Sequence, residues 1–148
     1  MISQTEADKL INEDKYFCEN DKLIIAGNKS LKIVRNLKSI NSQNEFVLNM
    51  DRGKIELSKI KYQTRHKATN AILFRLDTTG PRHQNPDGNF VECPHIHIYK
   101  EGYNDKWAYP LDSKAFKNPF DLAQILKDFL EFFNVKDIPQ IIIEQSFL

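Results

Sequence analysis

Cysteine is scarce in this chain of 148 residues, and glycine and proline together number only eleven. The two cysteines, Cys18 and Cys93, are too few for a disulfide framework or for a zinc site made of cysteines alone. No apolar run approaches the roughly 18–20 residues that span a bilayer, and the first residues lack the basic and then apolar regions of a signal peptide. We therefore expect a cytosolic protein without membrane contact.

The composition is typical of a folded domain. Hydrophobic residues make up 41% of the chain and charged residues 28%, which is too apolar for a disordered protein. The length fits one compact domain. We predict a single α+β domain over residues 1–148, with an antiparallel sheet of about five strands flanked by an N-terminal and a C-terminal helix.

Both predicted helices carry a start signal. Ser3 and Glu6 have the spacing of a capping box, which predicts a helix from Ser3 to about Lys15. The stretch Asn118-Pro119-Phe120-Asp121 predicts the start of the C-terminal helix, with the asparagine as its cap. Its apolar residues recur at helical spacing and predict a face that covers the sheet: Leu122, Ile125, Leu126, Phe129, Leu130 and Phe133.

Five strands are predicted from alternating patterns at residues 31–38, 45–50, 58–67, 69–77 and 94–99. Asp51-Arg52-Gly53-Lys54 is a turn signal, and Ile55 with Leu57 opens the following strand, which predicts a hairpin. Residues 78–94 read as one long loop, a length that is often functional in a small domain. Residues 141–143 predict a short edge strand.

Charge is unevenly distributed along the chain. Residues 29–83 contain twelve basic and four acidic residues, a net charge of +8, whereas the segments before and after them are acidic. A basic segment of this kind predicts binding to RNA or to a nucleoprotein. The alternative is that the acidic ends pack beside this segment and neutralise it.

One predicted strand places basic side chains on a shared face. Lys59, Lys61, Arg65 and Lys67 occupy alternate positions, with Gln63 between them. Such a row suits phosphate contacts. The alternative is an ordinary solvated face of an exposed strand, where lysine deters aggregation.

The residues suited to acid–base or metal chemistry lie between positions 77 and 107, and three of them are histidines. In the stretch Pro94-His-Ile-His-Ile-Tyr99, the period of two predicts that His95, His97 and Tyr99 share one strand face. Asp77, Arg82 and His83 lie just upstream. If the two strands pair, these residues meet at one end of the sheet.

The favoured interpretation is an acid–base site that needs no metal and no cofactor. Asp77 would orient a histidine, and His83, His95 and His97 would carry protons, since imidazole titrates near pH ~6.5. Cations would stabilise the phosphorane. The predicted substrate-binding residues are Arg82, Lys106, Trp107, Tyr99, Lys59, Lys61, Arg65 and Lys67.

Two other interpretations remain open for the same residues. His95 and His97 could ligate a metal together with Asp77, Glu92 or Glu101, and residues 88–101 resemble part of the first cupin motif. The histidines could instead be half-buried residues that anchor the long loop. A nucleophilic Cys93 is conceivable, but for both cysteines we favour a small buried side chain, with that of Cys93 on the isoleucine face.

Three stretches carry a family resemblance: residues 76–88 with Asp77 and His83, residues 93–102 with the Pro-His-x-His-x-Tyr motif, and residues 105–110. They resemble a family of small bacterial and phage proteins and are similar, more distantly, to TumE-type toxins of toxin–antitoxin pairs. The resemblance implies a mobile-element setting and a nuclease role for Asp77, His83, His95 and His97.

The resulting expectation is a small cytosolic protein of prokaryotic conflict systems that acts on RNA or a nucleoprotein as a metal-independent ribonuclease. A first alternative is a non-enzymatic binding protein with a cognate protein partner: an antitoxin, an immunity protein or a phage-encoded inhibitor of a host defence complex such as CRISPR. A second alternative is a cupin-like metal-dependent enzyme.

Overall fold

The computed structural model describes residues 1–53 and 59–144. Helix α1 spans Gln4–Asn12 and helix α2 spans Leu122–Phe132. The strands are β1 Lys15–Phe17, β2 Leu23–Ala26, β3 Leu31–Ser39, β4 Glu45–Arg52, β5 Ile60–His66, β6 Ile72–Asp77, β7 His83–Gln84, β8 Phe90–Val91, β9 His95–Ile98, β10 Ala108–Pro110 and β11 Ile141–Glu144. In the described parts of the chain, no helix is long and apolar enough to cross a membrane.

The main sheet is antiparallel and has seven strands in the order β1-β3-β4-β5-β6-β9-β10. The predicted α+β class with an antiparallel sheet and two helices is confirmed, but the sheet is larger than the expected five strands. The five predicted strands are its centre, and the missing two are its edges. Each edge strand has three residues, too few for an alternating pattern to be visible in the sequence.

One face of this sheet holds the core. Along β5, Ile60, Tyr62 and Thr64 are buried, and the intervening residues are more exposed. Helix α2 packs against the buried face, where the Phe129 ring lies 5.9 Å from that of Tyr62 and 6.5 Å from that of Phe74. The helix phenylalanines are therefore core residues, and the other face of the sheet is left for polar side chains.

Helix α1 begins as predicted and ends early. The Ser3 side chain accepts a hydrogen bond from the backbone N–H of Glu6 at 3.1 Å, but the helix stops at Asn12 and Lys15 lies in β1. The Lys15 ammonium is buried and donates to three backbone carbonyls, those of Ile11, Glu13 and Phe133. These carbonyls include free acceptors at the ends of both helices, which the lysine satisfies.

Helix α2 begins three residues after the predicted cap. Asp121 is the N-cap, and its side chain accepts from the backbone N–H of Gln124 at 2.9 Å. Asn118 instead accepts from the backbone N–H of Phe120 within the preceding turn. The helix is followed by Asn134, whose positive φ of 62° suits a left-handed stop.

Three segments differ from what the sequence predicts. Residues 51 and 52 of the predicted turn belong to β4, and Lys54, Ile55 and Leu57 lie outside the described residues. The predicted loop at residues 78–94 contains the small hairpin β7–β8. Residues 141–143 do form a short strand, within β11, but it pairs in parallel with β2 in a separate two-stranded sheet.

Candidate functional site

The pairing of β6 with β9 brings the predicted site together. Asp77 stands opposite His95 and Arg75 stands opposite His97 in the strand register. Because these positions alternate along each strand, the four side chains project from the same face. This is the face of the sheet opposite to helix α2.

Asp77 lies at the centre of the cluster. Its Oδ2 is 3.2 Å from Nε2 of His95, 3.3 Å from Nε2 of His97 and 3.7 Å from the Arg75 guanidinium. Burial alone raises the pKa of this carboxyl. The two imidazoles and the charge of Arg75 outweigh burial and hold the pKa well below its usual range. Asp77 is therefore negatively charged at neutral pH, and its buried Oδ1 has no hydrogen-bond partner among the described residues.

The orientation of His97 is fixed from both sides. Its Nδ1 lies 2.8 Å from the backbone carbonyl of Asp105 and must donate to it, since a carbonyl only accepts. Its Nε2 lies 3.0 Å from an Arg75 guanidinium nitrogen, which donates to it. Arg75 in turn donates to the Asp105 carboxylate at 2.7 Å. His97 thus has a partner at each ring nitrogen.

His95 meets hydrogen-bond acceptors on both sides. Its Nδ1 lies 3.2 Å from the backbone carbonyl of Glu92, and its Nε2 faces the Asp77 carboxylate. With the proton on Nδ1, Nε2 faces the carboxylate without a donor, and with the proton on Nε2, Nδ1 has the Cys93 thiol as a weak donor 3.6 Å away. His95 is 2% exposed and His97 is 1% exposed, so neither offers an unengaged nitrogen to a substrate.

His83 is the third imidazole of the cluster and differs from the other two. Its ring centre lies 4.6 Å from that of His97 and 6.0 Å from that of His95. Nε2 lies 2.7 Å from the backbone carbonyl of Lys106 and therefore carries a proton. Nδ1 has no hydrogen-bond partner among the described residues. His83 is half-buried, so this nitrogen is the one available for proton transfer.

A cleft of about 210 Å³ opens beside the cluster. Asp77, His83 and His95 line it, as do four cationic side chains: Lys59, Lys61, Arg75 and Arg82. Among the described lining residues, Asp77 is the one carboxylate. The cleft therefore carries an excess of positive charge and suits an anionic group such as a phosphate.

Two predicted aromatic contacts lie elsewhere. Tyr99 follows the last residue of β9, so the alternation of the strand no longer applies to it. Tyr99 is buried in the core, and its hydroxyl donates to the backbone carbonyl of Ile2 at 2.6 Å. Trp107 contacts Tyr103 edge-on, and the Lys100 ammonium lies 4.3 Å from its ring centre.

Three predicted phosphate-binding residues also do not line the cleft. Arg65 donates to the side chain of Asn70, and Lys67 forms an ion pair with Glu45 at 3.5 Å. Lys106 contributes its backbone carbonyl to His83, while its own side chain is exposed. Of the four basic residues of the predicted row, Lys59 and Lys61 line the cleft.

Both cysteines differ from the prediction of buried apolar side chains. Cys18 is exposed. Cys93 is partly exposed, and its sulfur lies 3.6 Å from Nδ1 of His95, on the histidine side rather than the isoleucine side. Burial raises the pKa of the Cys93 thiol, so the thiolate needed for nucleophilic attack is disfavoured.

The site contains three residues that the sequence analysis above does not predict: Arg75, Asp105 and Asn85. Arg75 was detectable, because it lies two positions before Asp77 and shares its strand face. Asp105 could not be found, since its role depends on the course of the β9–β10 turn. Asn85 forms two hydrogen bonds with the backbone of Ala108 in β10. Its amide nitrogen donates to the Ala108 carbonyl at 3.0 Å, and its amide oxygen accepts from the Ala108 N–H at 2.8 Å. Asn85 thereby fixes the segment that carries His83.

One group of side chains has the composition of a metal centre. The ligand atoms of Asp77, His95 and His97 all lie within 4.8 Å of one another. The other predicted carboxylates are engaged elsewhere or absent from the group. Glu101 accepts from the backbone N–H of Gln4 at 2.7 Å, and Glu92 contributes its backbone carbonyl.

The chain belongs to the family described as "Family of unknown function (DUF6978)", whose model matches residues 2–135. The match covers both helices and all of the site residues described above. No curated protein and no solved structure matches the chain.

Proposed function

We propose that this protein cleaves RNA at phosphodiester bonds bound in the cleft beside Asp77. The observation that carries the proposal is the juxtaposition of His83, which has an unengaged ring nitrogen, with four cations that line the same cleft. A proton acceptor next to a phosphate-binding surface is the minimal requirement for cleavage by the neighbouring 2′-hydroxyl.

In this reaction, Nδ1 of His83 takes the proton of the 2′-hydroxyl and the 2′ oxygen attacks phosphorus. The bond to the 5′ oxygen breaks, and this oxygen leaves with a proton from water, so that His83 later returns its own proton to solvent. The products are a 2′,3′-cyclic phosphate and a 5′-hydroxyl. Lys61 and Arg82 stabilise the additional negative charge on the phosphoryl oxygens.

His95 and His97 have a different role in this proposal from the one expected from the sequence. Both ring nitrogens of each are engaged, so they hold Asp77 and Arg75 in place rather than carry protons to the substrate. The proposed setting is a prokaryotic conflict system in the cytosol. It is supported by the motif resemblance of residues 76–110 and not by the geometry.

The same engagement of His95 and His97 favours a second candidate, a protein that binds RNA or a partner without cleaving it. An antitoxin, an immunity protein or an inhibitor of a defence complex would use the cationic cleft and would need no proton carrier. In that case the buried polar cluster keeps the cleft rigid.

The deciding experiment is cleavage of end-labelled RNAs by the purified chain, followed by analysis of the product ends. We expect 2′,3′-cyclic phosphate products from the wild type and a loss of about 10²-fold or more in His83→Ala. Gln84→Ala is the matched control, because this exposed neighbour does not line the cleft. Salt-sensitive RNA binding without turnover, in a correctly folded protein, would contradict the nuclease proposal. It would favour the second candidate, a protein that binds RNA without cleaving it.

A further inference from the structure

We propose that Asp77, His95 and His97 bind a divalent transition-metal ion of the zinc class. The first argument is distance. Oδ2 of Asp77 lies 3.2 Å from one imidazole Nε2 and 3.3 Å from the other. Ligand atoms about 2.0–2.2 Å from a tetrahedral or octahedral ion are separated by about 3–3.5 Å. The Asp77 oxygen is therefore spaced from each imidazole nitrogen as two ligands of one ion are, and the ligand atoms of all three residues lie within 4.8 Å of one another.

The second argument is the way in which the two imidazoles are held. Nδ1 of His95 faces the Glu92 carbonyl, and Nδ1 of His97 donates to the Asp105 carbonyl. A histidine that binds a metal almost always donates its other ring N–H to a carbonyl or carboxylate, which directs the lone pair of the ligating nitrogen at the ion. Nε2 of both rings faces the same Asp77 oxygen, and the Nε2 lone pair of His97 is shared with the Arg75 guanidinium.

The third argument is that the cluster lacks a cation at two buried atoms. Nε2 of His95 faces the Asp77 carboxylate without a donor between them when Nδ1 carries the proton. Oδ1 of Asp77 is buried and has no hydrogen-bond partner among the described residues. A lone pair and an unpaired carboxylate oxygen in one buried place are stabilised by a positive ion. The carboxylate can also ligate through both oxygens.

Arg75 is the competing cation. Its guanidinium lies 3.0 Å from Nε2 of His97 and 3.7 Å from Oδ2 of Asp77. An ion bound there must displace this side chain toward Asp105, which already holds it at 2.7 Å. We therefore expect Arg75→Gln to bind the ion more tightly than the wild type.

Three protein ligands leave coordination positions for water or substrate. Because Asp77 and His95 line the cationic cleft, a phosphate there can reach the ion, which would polarise a phosphoryl oxygen. This catalytic role rests on the proposed function, whereas metal binding does not. It also departs from the metal-independent site expected from the sequence.

The test is titration of the metal-stripped full-length chain with Co²⁺, followed by visible absorption, and displacement by Zn²⁺. We expect one ion per chain and affinities at least about tenfold lower in Asp77→Asn, His95→Gln and His97→Gln, each checked for folding by circular dichroism. His66→Gln is the control for an imidazole outside the cluster. Cys93→Ser tests whether the nearby thiol contributes; retained affinity excludes it as a ligand.

The outcomes separate this inference from the proposed function. No Co²⁺ or Zn²⁺ binding by the folded chain, or equal binding by the three ligand variants, would overturn the metal site. Metal binding without cleavage of any RNA would support the site and remove the proposed function. RNA cleavage that is equally fast in the stripped and reloaded protein would overturn the catalytic role of the ion while the proposed function stands.

Discussion

Asp105 accepts hydrogen bonds from Arg75 and from His97 through two different groups. Its carboxylate accepts from Arg75 at 2.7 Å, and its backbone carbonyl accepts from Nδ1 of His97 at 2.8 Å. A single residue in the β9–β10 turn thus sets the position of the arginine and the tautomer of the histidine. The turn is part of the site although it lies outside the sheet.

The cleft makes a specific prediction about its lysines. Lys61 lines the cleft, whereas Arg65 lies on the same strand face and contacts Asn70 instead. We expect Lys61→Gln to weaken RNA binding and to reduce the slope of log affinity against log salt by about 0.7, the value for one lost phosphate contact with a single strand. Arg65→Gln should leave both quantities unchanged.

The measurement is RNA binding by fluorescence anisotropy at four or more salt concentrations. The two variants remove the same charge from the same strand, so net charge alone predicts equal effects. Equal losses in both would contradict a phosphate site in the cleft and would indicate diffuse attraction to the whole basic segment.

The centre of the fold could be predicted from the sequence because its strands are long enough to show alternation. Strands β3, β4, β5, β6 and β9 correspond to the five predicted strands. The edges could not be predicted, since β1 and β10 are held by contacts from distant segments. Lys15 of β1 receives a hydrogen bond from Lys136, and Ala108 of β10 is bracketed by Asn85.

The same distinction applies to the site. Asp77, His95 and His97 could be predicted to converge because strand alternation and one pairing are enough to place them. Tyr99 could not be placed, since the alternation stops at Ile98. The engagement of each ring nitrogen could not be predicted either, because it depends on backbone carbonyls in two loops.

Asn85 makes a prediction about stability. Its side chain satisfies both backbone groups of Ala108, and Asn85 is buried. Asn85→Ala would leave a buried donor and a buried acceptor unpaired, which destabilises by about 1–3 kcal/mol. Chemical denaturation should show this loss. Gln84→Ala removes an exposed amide next to it and should change the free energy of unfolding by less than about 0.5 kcal/mol.

The burial of Lys15 predicts that the free energy of unfolding depends on pH. Burial lowers the pKa of its ammonium group to about 7, whereas the unfolded chain has a lysine pKa of about 10.4. Between these two values the unfolded state binds the extra proton, so the free energy of unfolding rises with pH, by at most about 1.4 kcal/mol per pH unit. Below pH 7 both states are protonated, and this contribution is absent.

The measurement is urea denaturation at pH 7, 8 and 9 for the wild type, Lys15→Met and Lys22→Met. Other groups also titrate in this range, so the difference in slope is the informative quantity. Lys15→Met should lose the rise attributed to Lys15, even though three carbonyls lose their donor. Lys22→Met removes an exposed lysine and should keep the rise. Identical slopes in all three proteins would contradict the lowered pKa of Lys15.

Arg75 and Asp105 make the last prediction, which concerns metal affinity. Asp105→Asn keeps the backbone carbonyl that orients His97 but removes the charge that holds Arg75. The arginine is then free to pair with Asp77, so Co²⁺ binding should weaken, whereas Arg75→Gln should strengthen it. The double variant has no arginine that could pair with Asp77. The loss of Co²⁺ affinity caused by Asp105→Asn should therefore largely disappear.

This non-additivity separates two roles of Asp105. If the carboxylate acts by restraining Arg75, its removal matters only while the arginine is present, and the double-mutant cycle gives a clear interaction energy. If it acts as a distant negative charge that attracts the ion directly, Asp105→Asn should weaken Co²⁺ binding equally in both backgrounds. Calorimetric titration of the four proteins measures the difference. Equal losses would show that Arg75 and the ion do not compete for the same place.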